Sequence, residues 1–189
     1  MTRSADLKSV TLCGLNLKYV EKQTPEICLA AVKQNGVALH YVKEQTPEIC
    51  LAAVQQYGYA IEFAIKQNPE ICLVAVHNNG LTLQFVKNQT LEICLLAVMQ
   101  NGLALKYVKR QTPEICLMAV RQNSSALLYV KEQTFDLCLK AVQNDGTTLK
   151  YIKNQTPEIC LSALEQDPEL VKYINTNTLK QWLISLSKK

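Results

Sequence analysis

The chain has 189 residues, 48% hydrophobic and 19% charged, which suits one ordinary folded domain and excludes a disordered chain. Six glycines and six prolines exclude a collagen-like or flexible-linker sequence, and a net charge of +4 is too mild for an obligate polyanion binder. No apolar run reaches the roughly 18 residues of a membrane span, and Met1 to Val10 carries Arg3, Asp6 and Lys8 where a secretion signal would be apolar. The expectation is a soluble cytoplasmic protein in a reducing compartment.

From Gln23 onward the chain repeats itself. Cys28, Cys50, Cys72, Cys94, Cys116, Cys138 and Cys160 fall every 22 residues, a spacing that marks tandem units rather than disulfide pairs. Before them, residues 1–22 read as a degenerate N-terminal cap: Leu7, Val10, Gly14, Leu17, Tyr19 and Val20 occupy repeat positions, while Asp6 stands where the cysteine should be. Seven units then run over 23–176, and 177–189 reads as a C-terminal capping helix and tail, with Thr178 at the threonine position and Leu179, Trp182, Leu183 and Leu186 at helical spacing.

Each unit opens with a helix signal. In the first, Thr24 is placed as N-cap, Pro25 suits the first helical position, and Glu26 puts negative charge where the helix dipole favours it. Cys28, Leu29, Ala31 and Val32 form the apolar face, and Gly36 is expected as a left-handed stop, leaving about ten helical residues. The second half, Val37 to Glu44, must return to the next Gln-Thr. Alternation of Val37, Leu39 and Tyr41 admits a strand, but Leu39 with Val42, repeated as Leu105 with Val108 and Leu149 with Ile152, is spaced i,i+3 and favours a second helix of about two turns. The fold class expected is all-α, an α-solenoid of 22-residue helix-turn-helix units.

The string Leu-x-Tyr-Val-Lys-x-Gln, as at Leu105 to Gln111, runs into Gln-Thr-x-Glu-Ile-Cys-Leu-x-Ala-Val-x-Gln-Asn-Gly, as at Gln89 to Gly102. It resembles the repeats of the domain-of-unknown-function family 4116, found in proteins of giant DNA viruses and some intracellular bacteria. The resemblance implies a short α-helical repeat and, for a viral or secreted protein, a place in the host cell; it carries no established activity. Local departures are Leu91 and Phe135 for the proline, and Ser124 and Pro168 at the glycine position.

Candidate chemistry is sparse. Each unit offers one thiol between Ile and Leu, so the cysteine column reads as small buried apolar residues; no metal and no other cofactor is expected, and Cys13 lies outside the column. His40 and His77 occupy opposite halves of their units, and Glu26, Glu48, Glu70, Glu92, Glu114 and Glu158 recur singly at helix starts, so no enzyme activity is expected. Lys43, Lys87, Lys109, Lys131 and Lys153 form a stripe broken at Ile65, with Lys66, Lys106, Arg110 and Lys150 nearby. The stripe reads as solvated cations over a packed aromatic ladder of Tyr41, Phe63, Phe85, Tyr107, Tyr129, Tyr151 and Tyr173, or alternatively as a track for nucleic-acid phosphates.

Positions that differ between units should face outward. On the first helices these place Val74, Leu96 and Met118 in one column, and His77, Met99 and Arg121 three residues on. They form either an apolar, Met-bearing patch that binds a protein or peptide partner, or a face partly covered by neighbouring helices. The function expected is a non-enzymatic scaffold for such a partner; nucleic-acid binding along the lysines and a structural, self-associating repeat are the alternatives.

Overall fold

The computed structural model describes residues 3–180. Two helix types alternate along it without a strand among the described residues. The α-helices are α1 (Arg3–Leu12), α2 (Pro25–Gln34), α3 (Pro47–Gln56), α4 (Pro69–Asn78), α5 (Leu91–Gln100), α6 (Pro113–Gln122), α7 (Phe135–Asn144) and α8 (Pro157–Leu164). Each is followed by a six-residue 3₁₀ helix: η1 (Gly14–Tyr19), η2 (Gly36–Tyr41), η3 (Gly58–Phe63), η4 (Gly80–Phe85), η5 (Gly102–Tyr107), η6 (Ser124–Tyr129), η7 (Gly146–Tyr151) and η8 (Pro168–Tyr173). Every α-helix packs on the next and every 3₁₀ helix on the next, so the units stack into one row of each kind.

The helix starts follow the sequence signals. Thr24 Oγ1 accepts from the Ile27 amide, and Pro25 fills the first turn, where its missing N–H costs nothing. In α4 the cap is Asn68, whose Oδ1 accepts from Ile71 N at 2.8 Å. Ile27, Cys28, Ala31 and Val32 are buried in α2, and they meet the buried Ala38 and Leu39 of η2. Helices of ten residues are marginal alone, so stacking of these apolar faces holds them in place.

The helix stop differs from the expectation. No glycine among the described residues has a positive φ. The chain instead turns through a single extended residue, Asn35 at φ −151° and ψ 111°, whose side chain then caps η2 by accepting from Val37 N. Glycine is needed for close approach. A Cβ on Gly14, Gly36, Gly80 or Gly102 would lie 2.3–2.5 Å from the carbonyl oxygen of Ala31, Ala53, Ala97 or Ala119 in the following helix.

Residues 3–22 form the same α-plus-3₁₀ pair as the later units, with Asp6 buried at the cysteine position. At the other end a further helical stretch covers 176–180. Thr178 is not its cap: Asn175 Oδ1 accepts from Thr178 N, while Thr178 Oγ1 donates to the Gln155 carbonyl. The helix therefore begins earlier than the repeat frame predicts. Trp182, Leu183 and Leu186 lie outside the described residues.

Candidate partner-binding surface

Residues that recur in every unit are engaged in joining one unit to the next. Gln45 Nε2 donates to the Phe63 carbonyl at 2.9 Å, and its Oε1 accepts from Ile65 N at 2.9 Å. The same pair of bonds recurs for Gln23, Gln67, Gln89, Gln111, Gln133 and Gln155. This ladder was not anticipated from the sequence, although an invariant glutamine before each cap was its signal. A second ladder joins Gly36 N to Gln56 Oε1 at 2.6 Å, with equivalents at Gly14, Gly80, Gly102 and Gly146.

Cys28, Cys50, Cys72, Cys94, Cys116 and Cys138 each donate to the ladder glutamine of their own unit. All eight are free thiols; the seven of the column are buried and Cys13 is exposed. Cys50 Sγ donates to Gln45 Oε1 at 3.6 Å, and burial raises the column thiols above their ordinary value. Among the described residues no three of His, Cys, Asp and Glu converge as a metal site would need, and no helix is long and apolar enough to cross a membrane.

The lysine stripe is exposed, but its ammonium groups are not simply solvated. Lys43 Nζ donates to the Glu21 carbonyl at 3.0 Å, Lys87 to Ile65 at 3.0 Å, and Lys109 to Lys87 at 2.7 Å. Lys131 and Lys153 repeat the contact at 3.3 and 3.5 Å. Each cation thus reaches one unit back and satisfies a loop carbonyl. The aromatics are half-buried rather than enclosed, and Tyr19 is 68% exposed. The cations nearest those rings come from another column: Lys106 lies 4.5 Å from the centroid of Tyr107, and Lys150 4.9 Å from that of Tyr151. The stripe's ammonium groups thus reach loop carbonyls, while cations of a neighbouring column lie over the rings.

The variable residues lie on α4, α5 and α6, which pack side by side. Val74, Leu96 and Met118 are half-buried and rest on the core. Three residues on, His77 and Arg121 are exposed, and Met99 is 55% exposed. The first column is thus partly covered, and the second stands outward. The six residues form a ridge of apolar side chains edged by His77 and Arg121.

Beside this ridge, α6 and α7 pack most loosely of the consecutive α-helix pairs, and a groove of about 570 Å³ opens between them.

Stacked two-helix units, tied by side-chain ladders and differing along one face, define an α-solenoid repeat protein. Three tandem matches, at residues 46–91, 90–135 and 113–156, cover more than half of the chain with the family described as "Domain of unknown function (DUF4116)". The chain belongs to that family. No curated protein and no solved structure matches it.

Proposed function

We propose that this solenoid is a non-enzymatic scaffold, acting in a reducing compartment without a cofactor, that binds a protein or peptide partner along the outer face of α4–α6. Its contacts are Val74, His77, Leu96, Met99, Met118 and Arg121. One observation carries the reading. The recurring Gln, Gly and Lys residues are engaged in unit-to-unit contacts, whereas the residues that individualise the units stand on this ridge, with Met99 55% exposed. Solenoids use such extended faces for recognition, and Met adapts to irregular partners.

The test is capture of protein from a lysate of the source cell by the wild-type chain and by the double variant Leu96→Glu/Met118→Glu, both first shown to melt cooperatively. The reading predicts a salt-resistant protein partner with wild type and its loss with the variant. Undiminished capture by the variant excludes the ridge. Material lost with nuclease or salt favours nucleic acid, and concentration-dependent light scattering by the chain alone favours self-association.

A further inference from the structure

The groove between α6 and α7 lies beside a local departure from the repeat. At Gly14, Gly36, Gly80 and Gly102 the following α-helix comes so close that a Cβ would meet its backbone, 2.4 Å from the Ala119 oxygen in the case of Gly102. Ser124 is the residue at that position in η6, and it carries the Cβ. The ladder partner changes with it. Asn144 stands where Gln122 stands one unit earlier, and donates to Ser124 Oγ instead of accepting a backbone N–H. Ser124 and Asn144 meet next to the stretch of trough lined by Val120, Arg121 and Asn144.

The trough has an apolar floor and a basic rim. Cys116, Leu117 and Leu137 lie along the floor. Lys109, Arg110, Lys131 and Lys140 stand around it, and the same trough runs on past Val120 to Arg121. Glu132 and Asp136 are the carboxylates of the lining, so cations outnumber anions. Among the described residues the ion pair is Arg3 with Glu26, which leaves Arg110 and Lys140 without a carboxylate partner. Among the described residues no aromatic side chain lines the trough, so they offer no platform on which bases stack. Its volume lies in the range of ligand sites, but it is open along the helices rather than closed around a small molecule. It ends at Arg121, which belongs to the variable ridge.

We propose that the α6–α7 trough receives an acidic amphipathic segment of the partner, its apolar side chains on Leu117 and Leu137 and its carboxylates against Arg110, Lys131 and Lys140. This inference rests on the partner-binding reading and names the chemistry of the partner. Charge complementarity directs the encounter, and the apolar floor supplies the buried contact.

The probe is a displayed library of random peptides about ten residues long, the helical length of α6, selected on the wild-type chain. Each selected peptide is then measured on Ser124→Gly/Asn144→Gln, which restores the residues of the closely packed units, and on Lys140→Glu. Enriched peptides should be net acidic with apolar residues, and both variants should weaken them about tenfold or more. The inference is overturned by no enrichment, by neutral or basic peptides, by equal binding to the closed-trough variant, or by oligothymidine binding with the same losses. If the peptide arm fails while Leu96→Glu/Met118→Glu still abolishes partner capture, the trough is excluded and the ridge stands. If both fail, the partner-binding reading falls with it.

Discussion

Gln89 clasps the backbone at Tyr107 in the next unit: its Nε2 donates to the Tyr107 carbonyl at 2.9 Å, while its Oε1 accepts the Lys109 N–H at 2.9 Å. The same oxygen accepts from Cys94 Sγ, and the same nitrogen reaches the Leu83 carbonyl of its own unit at 3.3 Å. One amide therefore fixes both the spacing and the register of neighbouring units. Two well-formed bonds at about 1 kcal/mol each predict that Gln89→Ala destabilises the chain by about 2 kcal/mol. Gln89→Glu should cost more, because it turns a carboxylate toward the Tyr107 carbonyl. Urea unfolding followed by circular dichroism checks both values; an effect below about 0.5 kcal/mol would remove the ladder from the account.

Gly102 and Ser124 are predicted to respond in opposite directions. Gly102→Ala places a Cβ 2.4 Å from the Ala119 oxygen, so the helices must separate, at a cost of about 1–3 kcal/mol. Ser124→Gly/Asn144→Gln removes the corresponding obstacle and should raise the melting midpoint. Thermal unfolding of the two proteins measures this, and a lowered midpoint for the double variant would mean that Ser124 does not hold the trough open.

The thiols should sort by burial. Cys13 is exposed, whereas Cys50 and Cys94 lie within the stack at 2% and 4% exposure. Iodoacetamide near neutral pH should therefore alkylate Cys13 in the native protein and the column cysteines only after unfolding. Burial raises the column thiols above their ordinary value of 9.0, so the folded state keeps their protons to higher pH than the unfolded chain does. The stability this contributes is complete below about 9 and is lost as the pH rises through the raised values. Denaturant midpoints measured upward from neutral pH should fall above 9, and replacing a column cysteine by alanine should flatten that fall.

Lys109 tests the role of the basic stripe. Its Nζ donates to the Lys87 carbonyl at 2.7 Å, so Lys109→Met should cost about 1 kcal/mol. The site is exposed, and Ile65 occupies the same column elsewhere, so the stack should remain intact. Comparison of denaturant midpoints decides it; an unchanged midpoint would return the stripe to simple solvated charge.

Much of this fold is legible in the sequence because its signals are local and repeated. Thr24, Pro25 and Glu26 announce a helix start by cap, ring and charge, and the 22-residue column of cysteines sets the unit length. The second half is read less fully. Leu39 and Val42 at i,i+3 suit either an α-helix or the 3₁₀ helix that forms, since the two differ by one residue in hydrogen-bond spacing. Gly36 invites a left-handed stop because glycine is the usual residue there, but close helix contact demands glycine equally, and only the stacked arrangement separates the two reasons. Gln45 escapes notice because its partners, at Phe63 and Ile65, lie in another unit and its role exists only after stacking. The candidate face was legible as a column of differences, with partial covering by neighbouring helices as one of its two readings; which column is covered, that of Val74, Leu96 and Met118, emerged only from the stacking.

The central claim, that a partner lies along the outer face of α4–α6, is tested most directly by hydrogen exchange of the chain free and bound to its captured partner. The account predicts slowed exchange in the segments carrying Val74 and His77, Leu96 and Met99, and Met118 and Arg121, with the 3₁₀ row unchanged. Slowed exchange confined to the loops carrying Lys43, Lys87, Lys109, Lys131 and Lys153, with α4–α6 unaffected, would contradict it.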